Sequence, residues 1–109
     1  MGAISYAAAL DNGIPLGSYR KEPLKSMGEG SYPGRLDALV WSKPNSAPML
    51  FALVTLNSGE KVLCEARFKR ELQGEPKYQG FQDFTPGQAV LVVVTIGPRG
   101  GVRTHLASV

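Results

Sequence analysis

The stretch TPGQAVLVVVTIGPRGGVRTHLASV, residues 85–109, decides the fold that this sequence predicts. After a Pro-Gly turn, residues 89–96 form an apolar, β-branched run, which is typical of a strand covered on both faces. Residues 97–101 are rich in glycine and interrupt the run. From Val102 onward apolar and polar residues alternate, as they do in a strand with one face in water. The stretch therefore predicts a β-hairpin, and this hairpin needs strands from upstream to complete its core.

Residues 35–41 are the first of three strands predicted upstream. Small and aliphatic side chains occupy every second position and are predicted to face inward: Leu36, Ala38 and Val40. Arg35 and Trp41 then fall together on the outward face. A tryptophan left on the outside of a strand usually has a partner. Trp41 is therefore the first candidate for a binding residue.

Residues 49–56 form the second predicted strand, and a Ser-Gly turn leads to a third strand over residues 61–68. The third strand alternates, with Lys61 and Arg67 outward. The second is apolar on both faces, so the sequence leaves open which face is buried. A shift of one residue exchanges Phe51 for Leu50 on the outward face.

The rest of the chain is irregular. Residues 1–33 are interrupted by glycine and proline and are predicted to form an N-terminal arm, with an edge strand near residues 17–21. Within this arm, residues 4–10 fit either a short helix or an extended segment. Residues 69–84 are a polar connector between the third and fourth strands. The domain division is thus an arm over residues 1–33 and a β domain over residues 34–109.

Composition limits the classes of function. The chain of 109 residues has 43% hydrophobic residues and a net charge of +3, which fits one folded domain with a mild preference for anionic partners. No apolar segment approaches the roughly 20 residues that span a bilayer, so no membrane partner is expected. The N-terminus lacks the basic residue of a secretory signal, and a cytoplasmic location is the expectation.

Catalytic groups are sparse in this sequence. His105 is the single histidine and Cys64 the single cysteine, so no catalytic triad, metal cluster or internal disulfide is predicted. The segment 97–101 is glycine-rich but lacks the Lys-Ser/Thr of a phosphate-binding loop. The sequence therefore predicts a protein that is not an enzyme and needs no cofactor.

Five short strands in a small chain favour closure into a barrel, because closure removes exposed sheet edges. The long connector after the third strand favours a five-stranded OB-fold over an SH3-like barrel. Two motifs also resemble OB-fold single-stranded DNA-binding proteins of the bacterial single-strand-binding and primosomal types, over residues 34–109. They are Gly34-Arg35-Leu36 at the first strand and residues 84–93, FTPGQAVLVV, at the fourth. The fold prediction is an all-β, closed, OB-like barrel with an irregular arm.

Aromatic rings beside cations are what a site for unpaired nucleic acid requires, since bases stack on the rings and phosphates pair with the cations. Trp41, Phe51, Arg35 and Arg67 are predicted to form one row across the first three strands. The connector and the last turn add further candidates. The complete predicted nucleic-acid site is Trp41, Phe51, Arg35, Lys43, Lys61, Arg67, Lys69, Arg70, Lys77, Tyr78, Arg99 and Arg103.

The leading hypothesis is a module that binds single-stranded DNA, or RNA, with little sequence specificity in replication, recombination or DNA transfer. The alternative is a protein-interaction barrel, an adaptor or subunit whose Trp41 face docks on a partner or on another copy. The two hypotheses are compatible with each other, because a homodimer or larger homo-oligomer can build one groove from two chains. The sequence decides neither the type of nucleic acid nor the oligomeric state.

Overall fold

A computed structural model of the chain describes residues 3–42, 49–67, 81 and 84–109, and only the backbone of residues 66 and 67. The described residues form six strands and two short α-helices, with a 3-10 turn at Leu16–Ser18. The mainly β character predicted from the sequence is confirmed. In chain order the elements are β1 Ala3–Ile4, α1 Tyr6–Asp11, α2 Glu22–Met27, β2 Gly30–Trp41, β3 Met49–Leu56, β4 Lys61–Arg67, β5 Ala89–Ile96 and β6 Val102–Ser108.

The strands form one sheet in the order β4-β3-β2-β5-β6, and all neighbours on this path are antiparallel. The long strand β2 holds the two halves of the sheet together. Its first half, Gly30 to Arg35, pairs with β5, whereas residues 34–41 pair with β3 on the other side. Strand β1 joins β2 in parallel opposite Leu39 and Val40.

The sequence predicted a closed barrel, but among the described residues no strand pairing joins the two edges of the sheet. The ladder of hydrogen-bonded strands ends at β4 on one side and at β6 on the other. These two edge strands nevertheless contact each other. A side-chain hydrogen bond joins Cys64 of β4 to Thr104 of β6, and both side chains are buried. The sheet is therefore curled so that its edges meet, and full closure stays a prediction.

Strand β2 begins at Gly30, five residues before the predicted strand, and it runs through Pro33 and Gly34. The carbonyl of Pro33 accepts a hydrogen bond from the N–H of Asn57, which lies just beyond the end of β3. Proline is tolerated at this position because β3 has ended, so its ladder needs no N–H donor from residue 33. Gly34 is required for close packing. A Cβ at this position would lie 2.7 Å from the carbonyl oxygen of Thr55.

A β-bulge in β2 changes the predicted inward face. The pairing of β2 with β3 shifts between Leu36 and Ala38, which inserts Asp37 as an extra residue. Leu36 and Leu39 therefore lie on one face of the sheet, while Ala38 and Val40 lie on the other. The prediction that Leu36, Ala38 and Val40 share a face is wrong, because one inserted residue inverts every side chain after it.

Two hydrophobic cores result from this arrangement. The main core lies on one side of the sheet and includes Leu24 of α2 and Phe81, both essentially inaccessible to solvent. The outer core lies on the opposite side of β2, β3 and β4. Ala9 and Tyr19 of the N-terminal arm there cover Ala38, Val40 and Leu53.

The N-terminal arm is more ordered than predicted. Residues 4–10, which the sequence left open, fall mostly in α1, whose N-cap Ser5 accepts a hydrogen bond from the N–H of Ala8. The predicted edge strand near residues 17–21 is reduced to one bridge. Arg20 donates its N–H to Lys61 and accepts from the N–H of Leu63, at the free edge of β4. Within the described ranges, no helix has the length and apolar character needed to cross a bilayer.

Candidate nucleic-acid interface

The predicted row of Trp41, Phe51, Arg35 and Arg67 does not form one surface. Trp41 packs against the main core, whereas Phe51 packs against the outer core on the other side of the sheet. The cause is the bulge at Asp37, which moves Trp41 to the face opposite the predicted one. Arg67 ends β4, where its backbone pairs with Met49.

The N-terminal arm covers the sheet face that carries Phe51. Ile14 and Leu16 of the arm pack with Phe51 and Leu63 in the outer core. An aromatic ring that is half-buried under the protein's own chain is poorly placed to stack on a base. The surface with the strongest sequence signal is thus mostly occupied by the arm.

A part-buried hydrogen-bond network joins the arm to the sheet. The hydroxyl of Tyr19 donates to Oδ2 of Asp37 at 2.8 Å, and the hydroxyl of Thr55 donates to the same oxygen at 2.5 Å. Burial is the main cause that raises the pKa of Tyr19 to about 12, and the negative charge of Asp37 adds to it. Asp37, the inserted bulge residue, therefore fixes both the sheet and the arm.

The cations near β4 are engaged with the arm and with carboxylates. Lys61, a predicted phosphate ligand, is exposed, and its Nζ lies 5.6 Å from the centre of the Tyr19 ring. Lys21 forms an ion pair with Glu65 at 2.6 Å. Arg20 lies 3.9 Å from Glu22, with both side chains largely exposed. Mixed charge of this kind offers an anionic polymer little net attraction.

Five predicted site residues lie outside the described residues: Lys43, Lys69, Arg70, Lys77 and Tyr78. The structure therefore leaves their predicted role as it stands. Arg99 is described and is exposed in the turn between β5 and β6. This turn needs glycine at position 100, where φ is 79°.

The other half of the sheet presents a different surface, which we call the open face. It consists of the outward positions of β5, β6 and the first half of β2. Alternate residues of these strands, such as Val92 and Leu106, are buried in the main core. The residues of the open face are Ser31, Pro33, Arg35, Ala89, Leu91, Val93, Thr95, Arg103, His105 and Ala107.

The open face lies away from the main contacts of the described helices. Leu91 and Val93 are partly buried, in the same range as Phe51, but they belong to neither hydrophobic core. The main contacts of the helices and β1 go to β2 and β4, away from β5 and β6. The open face is thus the available surface of the described sheet.

Charge on the open face is of one sign. Arg35 and Arg103 are both exposed, and none of the ten residues is Asp or Glu. Two carboxylates flank it in sequence. Glu29, just before β2, accepts a hydrogen bond from the N–H of Ile96. Asp37, two residues after Arg35, accepts hydrogen bonds from the hydroxyls of Tyr19 and Thr55. A surface with arginines and no acidic residue favours contact with an anion.

Sequence reasoning found Arg35, Arg99 and Arg103 but missed the apolar centre of this face. Residues 89–96 were predicted to be covered on both sides, because both faces of the strand are apolar. The structure buries Val90 and Val92 and leaves Leu91 and Val93 half-exposed. The sequence signal for exposure lies in the partner strand. Val93 pairs with His105, which is on the polar face of the alternating strand, and cross-strand neighbours share a face.

The described residues offer few groups suited to nucleophilic catalysis or to metal binding. Cys64 is fully buried, and burial raises the pKa of its thiol to about 12, which disfavours the reactive thiolate. No group of three His, Cys, Asp or Glu side chains suited to a metal ion occurs among the residues described.

The geometry was compared with that of known proteins. Comparison with protein-family models, curated proteins and solved structures gave no match. The chemistry of the site itself, its charge and its exposed apolar surface, is therefore the basis for assigning a function.

Proposed function

We propose that this chain is a small OB-like module that binds single-stranded DNA with little sequence specificity. The observation that carries the proposal is the open face, where exposed Arg35 and Arg103 flank partly buried apolar residues and none of the ten residues is Asp or Glu. The nearby carboxylate of Asp37 is engaged by Tyr19 and Thr55. Arginine pairs with phosphate, and unpaired bases can cover an apolar surface and exclude water from it. The open face carries no Phe, Tyr or Trp, and His105 is the one ring among its ten residues. We assign the module to replication, recombination or DNA transfer in the cytoplasm.

The strand order supports the OB-like part of the proposal. Three consecutive strands, β2, β3 and β4, precede the long connector, and the hairpin of β5 and β6 returns to pair with β2. Five-stranded barrels of this type close by bringing their third and fifth strands together. The contact between β4 and β6 supports this part of the proposal, although no strand pairing joins the two among the described residues.

A protein-interaction barrel is the second candidate. Leu91, Val93 and Ala107 give the open face an apolar centre, and a partner protein or another copy of this chain would also cover it. This candidate predicts a stable complex that withstands salt. Binding dominated by phosphate contacts weakens as salt rises.

Titration of a fluorescein-labelled oligothymidylate of about thirty nucleotides tests the proposal, with anisotropy followed at low and moderate salt. We expect saturable binding. If Arg35, Arg99 and Arg103 contact three phosphates, log Kd rises with log salt with a slope of about 2, at about 0.7 per phosphate. Sedimentation of the free protein in the same buffers reports self-association.

Absence of binding at low salt, with the protein folded by circular dichroism, would contradict the proposed function. A salt-resistant dimer that ignores the oligonucleotide would instead favour the interaction barrel. An oligoadenylate of equal length is the control for specificity. Equal affinities within a few-fold are expected, because stacking is tolerant of sequence.

A further inference from the structure

The registers of β2, β5 and β6 fix where the two arginines of the open face lie. Arg35 pairs with Ala89 at one end of β5, and Arg103 pairs with Thr95 near the other end. Six residues of β5 separate these two positions, which is roughly 20 Å along the strand. The arginines also lie two strands apart, or roughly 10 Å across the sheet.

Between the arginines lies a continuous strip of weakly polar surface. Two neighbouring cross-strand pairs form its centre: Pro33 of β2 with Leu91 of β5, and Val93 of β5 with His105 of β6. Leu91, Val93 and His105 are half-exposed, and Pro33 is exposed. A flat strip of this kind can lie against base faces, and the imidazole is itself a ring on which a base stacks.

Resting on the proposed function, we infer that a single strand crosses the open face diagonally from Arg35 to Arg103. Its phosphates pair with the two arginines, and its bases lie on Leu91, Val93 and His105. A span of about 20 Å holds about six nucleotides at the stacked spacing of 3.4 Å and fewer in an extended strand. The site therefore takes about four to six nucleotides.

This path differs from the one predicted from the sequence, which ran across Trp41 and Phe51. The arm covers the Phe51 part of that path through Ile14 and Leu16, and Trp41 packs against the main core on the other side of the sheet. A strand bound there would have to displace the outer core. A strand on the open face leaves the outer core in place, so the open face is the less costly route.

The same features select an unpaired strand over a duplex. A duplex keeps its bases stacked inside and presents phosphates and sugars to a flat surface. Against the open face it would reach the arginines but would leave Leu91 and Val93 facing charged backbone. Unpaired bases can turn toward these side chains and exclude water from them.

Charge variants test the path. Arg35→Ala and Arg103→Ala are each expected to weaken binding of a six-thymidine oligonucleotide about three- to tenfold and to lower the salt slope by about 0.7. The half-exposed His105 is expected to tolerate His105→Glu without loss of the fold, and this variant should weaken binding more than tenfold, because it places a negative charge under the strand. The matched control is Arg20→Ala, which removes an exposed arginine on the covered side.

The outcomes separate the inference from the proposed function. If the unaltered chain fails to bind any oligothymidylate, the proposed function itself fails. If it binds, but Arg20→Ala or Lys61→Ala weakens binding while Arg35→Ala and Arg103→Ala do not, the strand takes the other face and the inference is wrong. Equal binding of a duplex of the same length, or of an oligoglutamate peptide, would also overturn it.

A length series supplies the second measurement. The affinity for oligothymidylates is expected to rise steeply up to about six nucleotides and then only in proportion to the number of registers on the longer strand. A steep rise that continues well beyond six nucleotides would contradict a site confined to the open face.

Discussion

Replacing Phe81 with alanine is expected to lower the free energy of unfolding by about 3–5 kcal/mol. Phe81 is completely inaccessible to solvent and is among the largest buried side chains of the main core. It comes from the stretch between β4 and β5, where sequence reasoning saw a polar connector. Removal of its ring would leave a cavity in the main core, and the surrounding strands are too tightly paired to fill it.

Urea unfolding of the Phe81→Ala variant measures this effect, and Phe51→Ala is the matched control. Phe51 is half-buried in the outer core, so the same truncation there is expected to cost only about 1–2 kcal/mol. Equal losses for the two variants, or a loss below about 1 kcal/mol for Phe81→Ala, would show that Phe81 does not stabilise the main core.

Asp37→Ala is expected to destabilise the protein by about 2–3 kcal/mol and to release the arm. The carboxylate accepts hydrogen bonds from both Tyr19 and Thr55, and its removal leaves the buried Tyr19 hydroxyl without its acceptor. Asp37→Asn keeps an acceptor oxygen and is expected to lose less. Faster hydrogen exchange at Arg20 and Leu63 would report the release, because these residues form the bridge that holds the arm to β4.

The pH dependence of stability checks the same network. An unfolded tyrosine ionises near pH 10, whereas burial and Asp37 raise the pKa of Tyr19 to about 12 in the folded state. Between these values the unfolded state binds fewer protons, so stability falls as the pH rises. Tyr19→Phe should remove this part of the fall. A Tyr19→Phe variant with the pH profile of the unaltered chain would contradict the network.

The strands with a clear period were predictable from the sequence. Residues 49–56 and 89–96 were predicted with the bounds that the structure gives to β3 and β5, because both runs are apolar and end in turn-forming residues. The start of β2 was missed since Pro33 and Gly34 usually interrupt a strand. Proline fits at position 33 because β3 ends at Leu56, before the position at which a β3 residue would accept a hydrogen bond from the N–H that proline lacks.

The bulge at Asp37 could not be predicted from the alternation of residues 35–41. Leu36, Ala38 and Val40 fit a regular strand as well as a bulged one, and the choice depends on contacts far away in sequence. Asp37 is held by Tyr19 and Thr55, each eighteen residues away. No local pattern contains that information.

The sequence identified the cationic residues of the candidate site but not the sheet surface on which the site lies. Arg35 and Arg103 were identified by charge, and both lie on the open face. Trp41 and Phe51 were identified as outward aromatic rings, but the bulge and the arm place them in two different cores. Coverage of a sheet face by a distant segment is a tertiary property, which periodicity within a strand does not reveal.

The most direct test of the central claim, that the open face and not the arm-covered face binds a single strand, is an NMR titration of the ¹⁵N-labelled protein with a six-thymidine oligonucleotide. The account predicts chemical-shift changes concentrated in residues 31–35, in β5 and in β6, with Val93 and His105 among the largest. Shift changes concentrated at Phe51, Leu63 and Ala9, with the open face unchanged, would contradict it.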